Sequence, residues 1–238
     1  MHAHDRYNEL NDIILDLYCY AHTIPGHTKI ISPSKAAVSM TTAGRKKQQA
    51  LHAAELRAKK CTRCTIAQTR KNVVYGIGSA EALLMFIGEA PGVQEDIQGI
   101  PFVGRAGQLL TKLLADIGFT REEIYIANVL KCHPHPPGNV NTNRAPMDDE
   151  VKNCASWLDE QIRIIAPRMI CLLGNPALNR ILGFTGITRH AGKVYDYNGV
   201  ATMPIFHPSW ALRNPNNLDQ IRTCFKQLRH EYDTRFAQ

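Results

Sequence analysis

The feature that most constrains the fold is a regular alternation of short apolar runs and amphipathic helical segments downstream of residue 72. Strand-sized apolar runs occupy 82–88, 123–131, 168–174 and 201–206, with a further short strand at 193–197. Helical periodicity occupies 104–118, 147–166, 176–182 and 219–236. Alternation of this kind predicts parallel strands with helices on both faces. We therefore expect a three-layer α/β/α sandwich around a central, mainly parallel four-stranded sheet.

The N-terminal part of the chain has a different character. Residues 5–22 carry apolar side chains at helical spacing, and residues 23–44 are rich in Ser, Thr, Pro and Gly. We predict a helical extension with a linker over 1–44 and one α/β domain over 45–238. Within that domain, residues 45–60 form a helix-compatible segment rich in lysine and arginine.

The charge of the chain permits a polyanionic partner. The formal net charge is +7 and the pI is about 9.1. Lys and Arg release counterions when they bind phosphates, so this balance suits nucleic acid, although a solvated basic surface is the more common origin of such a charge. We see no secretory signal and no membrane-spanning apolar run, and therefore expect a cytoplasmic protein.

Polar residues follow three of the predicted strands. Glu89 comes directly after the first, Asn128 lies near the end of the second, and His207 follows the last. Ligands of open parallel sheets bind at the carboxyl ends of the strands. We therefore expect these three side chains to converge on one crevice.

Seven cysteines form a second constellation. Cys61 and Cys64 form a C-x-x-C pair, and Cys132 and Cys154 lie far downstream, after a strand and within a helix. This pattern suits an iron–sulfur cluster, with zinc as the competing interpretation and a redox pair as a weaker third. The remaining cysteines are predicted to be buried core thiols, namely Cys19, Cys171 and Cys224.

Three ordered motifs resemble those of the family-four uracil-DNA glycosylases. The run GEAPGVQEDIQGIPFVGRAGQLL at 88–110 resembles the first motif, YIANVLKC at 125–132 the base-reading strand, and HPSWALRNP at 207–215 the second motif. The resemblance implies a monofunctional DNA glycosylase that excises uracil and leaves an abasic site. It also implies a [4Fe–4S] cluster held by Cys61, Cys64, Cys132 and Cys154. DNA is the implied partner, and we expect a monomer.

The resemblance also implies a role for each motif residue. Glu89 or Glu95 would position a water molecule, and His207 would donate to the oxygen of the departing base. The base would lie against a tight backbone turn, a stacking ring and a reading amide, which are provided by Gly88, Ala90, Phe102 and Asn128. The expected contacts to DNA come from Arg105, Ser209, Trp210 and Arg213.

The sequence departs from the family pattern at three places: the extension over 1–44, a long asparagine-rich loop over 133–146, and Trp210, where a smaller residue is usual. An aromatic ring at position 210 could stack in the gap left by a flipped base. Because these departures adjoin the base site, the same chemistry on a hypermodified phage cytosine, as an antiviral defence, is an alternative. A non-catalytic iron–sulfur DNA-binding module is a second one.

Overall fold

A computed structural model describes residues 40–236 of the chain. The helix predicted over 5–22, the core role predicted for Cys19, and the linker as far as residue 39 lie outside the described residues.

A single six-stranded sheet has the strand order β1-β3-β2-β4-β6-β5. The four central strands run parallel to one another, which confirms the predicted parallel core. The short edge strands β1 and β5 are antiparallel to their neighbours and extend the sheet beyond the four strands expected. The strands are β1 (Ile77–Gly78), β2 (Leu84–Gly88), β3 (Tyr125–Asn128), β4 (Met169–Leu173), β5 (Tyr195–Tyr197) and β6 (Val200–Ile205).

Helices cover both faces of this sheet, as the alternating pattern predicted. The helices are α1 (Thr42–Lys59), α2 (Val93–Gln98), α3 (Arg105–Asp116), α4 (Asp148–Ile165), α5 (Asn175–Leu182), α6 (Ile187–His190), α7 (Ser209–Arg213) and α8 (Leu218–Phe236). Short 3₁₀ turns lie at Thr65–Gln68 and Pro215–Asn217. None of the helices in the described part of the chain is long and apolar enough to cross a membrane.

The hydrophobic pattern explains the layering. Every residue of β2 and of β4 is buried, as expected for strands covered on both faces. One core layer packs α1, α4 and α5 against the sheet, and the other packs α3 and α8 against the opposite face. The predicted core thiols Cys171 and Cys224 are both buried, in the second layer.

The strand register brings the polar strand ends to one edge. Gly88 pairs with Asn128 across β2 and β3, and Leu173 pairs with Ile205 across β4 and β6. Because these strands are parallel, the segments that follow them leave the sheet on the same side. The candidate site lies at this edge.

Candidate active site

Gly88 is the point at which the predicted base-site residues meet. A Cβ added at this glycine would overlap with Oδ1 of Asn128 and lie 2.6 Å from the ring of Phe102. Asn128 is 2% exposed, and its Oδ1 has no hydrogen-bond partner among the described residues. A buried amide without a partner is costly unless something else completes its hydrogen bonds. The geometry therefore places a buried amide and an aromatic ring close together beside a bare backbone.

Phe102 lies in a tight turn, residues 99–104, which we call the Phe102 turn. Its φ is +56°, a left-handed conformation that side-chain-bearing residues rarely adopt. Glu95 accepts hydrogen bonds from the backbone N–H groups of Val103 at 2.9 Å and Gly104 at 2.8 Å. The same carboxylate accepts from Gly92 N–H at 3.1 Å. Oε1 of Glu95 thus holds the turn, and Oε2 is occupied at the start of α2.

His207 lies close to the Phe102 ring. The two ring centroids are 5.7 Å apart. The Nδ1 atom of His207 accepts from the backbone N–H of Ser209 at 3.1 Å and lies 2.8 Å from Ser209 Oγ. Because Nδ1 acts as an acceptor, the proton of the neutral ring resides on Nε2. Burial, together with a smaller effect of the positive charge on Arg213, lowers the pKa of His207 to about 4. The imidazole is therefore a neutral N–H donor at physiological pH.

Glu89 differs from Glu95 in its surroundings. Its side chain is half-buried, and no hydrogen bond to another described residue ties it down. Burial raises the pKa of Glu89, whereas the nearby positive charge of Arg213 lowers it. Arg213 also donates to Ser209 Oγ at 3.2 Å, so the second motif connects to both Glu89 and His207. Of the two candidate carboxylates, only Glu89 has its oxygens available.

The remaining predicted contact residues have different surroundings. Arg105 is exposed in the first turn of α3. Trp210 stacks on Phe206, with ring centroids 4.2 Å apart, so its ring is packed against the protein. Ala90 is half-buried against the first core layer.

The four predicted ligand cysteines line one cavity together with an apolar wall that includes Ile66, Leu130 and Trp157. Two donors support negative sulfur here: Arg70 Nη1 donates to Cys132 Sγ at 3.5 Å, and Lys131 N–H donates to Cys154 Sγ at 3.3 Å. Burial raises the pKa of the Cys132 thiol to about 12. Within residues 40–236, no three His, Cys, Asp or Glu side chains stand close enough to hold a single metal ion.

Lys131 and Gln161 connect this cavity to the base site, and sequence reasoning missed both. Lys131 is 1% exposed, and its Nζ donates to the carbonyl oxygen of Asn128 at 2.7 Å and to Gln161 Oε1 at 2.5 Å. Gln161 in turn donates to Tyr75 O and Tyr125 Oη. The available signal was a lysine at the end of an apolar strand, directly before a candidate ligand cysteine.

The long loop over 133–146 is anchored to the protein. His133 Nε2 lies 2.8 Å from Asn143 Oδ1, and His135 Nε2 lies 2.9 Å from Thr69 Oγ1. Arg144 pairs with Glu150 of α4, whose carboxylate is buried. A Cβ on Gly92 would lie 3.7 Å from Asn143, so this loop reaches the turn that follows β2.

The fold is an α/β/α sandwich, and the strand-end edge of its sheet brings together a buried amide, an aromatic ring and a neutral imidazole. Comparison with known proteins agrees. The model of the uracil DNA glycosylase superfamily matches residues 75–229. The type-4 uracil-DNA glycosylase of Archaeoglobus fulgidus is 41% identical over 177 residues, covering 71% of this chain and 86% of the relative.

Two further relatives show the same pattern. The type-4 enzyme of Thermotoga maritima is 44% identical over 164 residues, covering 68% of this chain and 82% of the relative. That of Sulfurisphaera tokodaii is 40% identical over 179 residues, covering 71% and 79%. The chain therefore belongs to the uracil DNA glycosylase superfamily and, within it, to the type-4 group.

Proposed function

We propose that this protein is a monofunctional uracil-DNA glycosylase, which hydrolyses the N-glycosidic bond of a flipped-out deoxyuridine and leaves an abasic site. The observation that carries the proposal is the buried, unpartnered carboxamide oxygen of Asn128 beside the Phe102 ring. Membership of the type-4 group supports uracil as the base. The relatives lend no support to a hypermodified cytosine substrate or to a non-catalytic module.

Base selection follows from the two ends of the Asn128 amide. Uracil presents an N3–H donor next to the O4 acceptor, which an amide oxygen and an amide N–H match together. Cytosine presents an acceptor at N3 and an amino donor at C4, so the same amide would face two mismatched contacts. A mismatch of buried polar groups discriminates strongly because both partners lose their hydrogen bonds.

Bond cleavage requires stabilisation of the departing base. As the glycosidic bond breaks, the sugar approaches an oxocarbenium ion and the base gains negative charge. The Nε2–H of neutral His207 would donate to the base oxygen at which this charge develops. Ser209 keeps the imidazole in this tautomer through its two contacts with Nδ1.

Glu89 would orient the attacking water, and its negative charge would stabilise the cationic sugar. Glu95 would act instead as the support of the Phe102 turn. Lys131 is the lysine nearest Asn128 in sequence, and its Nζ is occupied by two acceptors. This arrangement favours hydrolysis by water over attack by a lysine amine.

DNA would approach the strand-end edge of the sheet. The target nucleotide must leave the stack to reach a buried amide. Arg213 and Ser209 would contact phosphates beside the pocket, and Arg105 would contact them farther away. The net charge of +7 supplies long-range attraction.

We further infer that Cys61, Cys64, Cys132 and Cys154 hold a [4Fe–4S] cluster. A tetrahedral zinc ion binds sulfur at about 2.3 Å and therefore needs closely grouped thiolates. The wider arrangement around one cavity, with donors from Arg70 and Lys131 toward sulfur, fits a larger anionic cluster better. A bound cluster would cross-link the segment at 61–64, the start of the long loop, and α4.

Single-turnover excision on a labelled oligonucleotide with one deoxyuridine, followed by alkaline cleavage of abasic sites, tests the function. We expect cleavage at uracil, no cleavage at cytosine, and a loss of more than 100-fold for Asn128→Ala. Asn179→Ala, at an exposed site on α5, is the matched control. Absence of uracil release by the iron-loaded wild type would overturn the proposal.

Iron, sulfide and zinc determinations on the same preparation test the cluster. We expect four irons per chain and a broad visible absorbance that Cys154→Ser abolishes, whereas Cys171→Ser retains it. A colourless protein that contains one zinc would contradict this assignment.

A further inference from the structure

We propose that Arg121 is a positioning residue for the excision reaction, because it fixes the Phe102 turn and with it the stacking ring. The inference rests on the proposed function. Arg121 lies between α3 and β3, outside all three motifs.

The guanidinium of Arg121 binds the carbonyl side of the Phe102 turn. Its Nη2 donates to Pro101 O at 2.7 Å, and its Nη1 donates to Phe102 O at 3.1 Å. A planar guanidinium is suited to two neighbouring acceptors, since its N–H groups form a rigid fork. Lysine could provide a charge at this position but not this fork.

Glu95 binds the amide side of the same turn. It accepts from the N–H groups of Val103 and Gly104, directly after the two carbonyl groups that Arg121 holds. Four consecutive residues of the turn therefore form hydrogen bonds with the Arg121 guanidinium or the Glu95 carboxylate, which come from different parts of the chain. This double attachment explains how Phe102 keeps a φ of +56° that its side chain disfavours.

The third contact of Arg121 ties the turn to α3. Its Nη1 lies 3.4 Å from Thr111 Oγ1, and Thr111 bonds to Gly107 O. Gly107 packs directly on the carbonyl group of Phe102, where any Cβ would overlap with that carbonyl. Loss of the guanidinium would remove the side-chain donors to the carbonyl groups of Pro101 and Phe102 and the contact with Thr111.

The consequence for the reaction follows from the position of the ring. The Phe102 ring lies against Gly88, and its centroid is 5.7 Å from that of the His207 imidazole. Relaxation of the turn would move the Phe102 ring, on which the base stacks, relative to Asn128 and His207, which would form hydrogen bonds with the base. We therefore expect a loss in the rate of the bound complex rather than in affinity for DNA.

Hydrogen exchange tests the positioning without reference to activity. In Arg121→Met, amides in a peptide spanning 99–105 should exchange at least tenfold faster than in the wild type. Arg229→Met is the matched control, because Arg229 also donates to a carbonyl, Ile117 O, and lies over an aromatic ring, Phe119, away from the site. Unchanged exchange of this peptide in Arg121→Met would overturn the inference. An equal increase in the exchange of the same peptide in Arg229→Met would overturn it as well.

A double-mutant cycle tests the catalytic consequence. Arg121→Met should lower the single-turnover rate at saturating DNA about 10- to 100-fold with less than a threefold change in KM, and Arg121→Lys should recover part of it. The variant that combines Arg121→Met with Phe102→Leu should be no slower than Phe102→Leu alone. Fully additive losses would contradict action through the ring.

Failure of the proposed function and failure of the Arg121 inference would give different results. An inactive wild type would contradict uracil excision while the exchange measurement still tests the turn. An active wild type with additive losses would contradict only the role of Arg121. Should Arg121→Met fail to fold, Arg121→Lys carries both tests, since it retains one donor.

Discussion

The side-chain Nζ of Lys131 donates a hydrogen bond to the main-chain carbonyl oxygen of Asn128 at 2.7 Å, inside the core. The backbone of the same lysine donates to Cys154 Sγ. One residue therefore touches both the base-reading residue and a candidate cluster ligand. Gln161, two helical turns beyond Cys154 on α4, accepts the second hydrogen bond from Nζ.

This relationship predicts the effect of Lys131→Met, a substitution of similar length. It leaves Asn128 O and Gln161 Oε1 without their donor, so the free energy of unfolding should fall by about 2 kcal/mol. The excision rate should fall about tenfold or more because Asn128 shifts. Denaturant unfolding and single-turnover assays measure the two effects. Lys226→Met, at an exposed site on α8, should change neither, and a Lys131→Met protein with wild-type activity would refute the link.

Gly88→Ala should nearly abolish excision. The added methyl group would overlap with Asn128 Oδ1 and the Phe102 ring, the two groups that the base would contact. A displacement of about 1 Å at such a site costs about 100-fold in rate. Gly183→Ala is the control: Gly183 has a φ of +70° but no atom near its added Cβ. That variant should lose about 1 kcal/mol of stability and keep its rate. Equal rates for the two variants would contradict the assignment of the pocket.

His207 should make the folded state sensitive to acid. Its pKa is about 4 in the folded protein and 6.5 in the absence of burial. As the pH falls through this window, the unfolded chain takes up a proton that the folded state does not, so the folded state loses stability. The loss between pH 7 and pH 4 should be up to about 3 kcal/mol.

His207→Asn should remove this contribution. Unfolding measured at pH 7 and at pH 4 should show a smaller pH dependence in His207→Asn than in the wild type. Glu89, whose pKa burial raises, contributes with the opposite sign in both proteins. His230→Asn, at an exposed position on α8, is the matched control. An identical pH dependence in the wild type and His207→Asn would mean that the imidazole is not held neutral by burial.

The strand ends were predictable because hydrophobic patterning is local. The uniformly apolar runs of β2 and β4 indicated strands covered on both faces, and parallel strands bring Gly88 and Asn128 side by side. The hydrogen bonds that hold the site residues in place were not predictable in this way. Glu95 grips the Phe102 turn, and Lys131 reaches Gln161, through contacts that depend on turn conformation and on residues distant in sequence. No periodicity encodes such contacts.

Trp210 gives a prediction that separates packing from DNA insertion. Its ring stacks on Phe206 with centroids 4.2 Å apart. Trp210→Ala should therefore lower the free energy of unfolding by about 2 kcal/mol, because half-buried aromatic packing is lost. The excision rate per folded molecule, relative to that of the wild type, should be similar on single-stranded and duplex DNA. A selective loss on duplex DNA with unchanged stability would instead favour insertion of Trp210 into the helix.

Leu212, two residues farther along α7, is the better candidate for insertion into the duplex. Its side chain is 37% exposed and precedes Arg213, which lies near Glu89. An exposed apolar side chain beside a base pocket can fill the space left by a flipped nucleotide and offset the cost of unstacking. Leu212→Ala should therefore lower excision from duplex DNA about tenfold while leaving excision from a single strand within twofold. Leu56→Ala, at an exposed position on α1, is the control. Equal losses on both substrates would argue against insertion by Leu212.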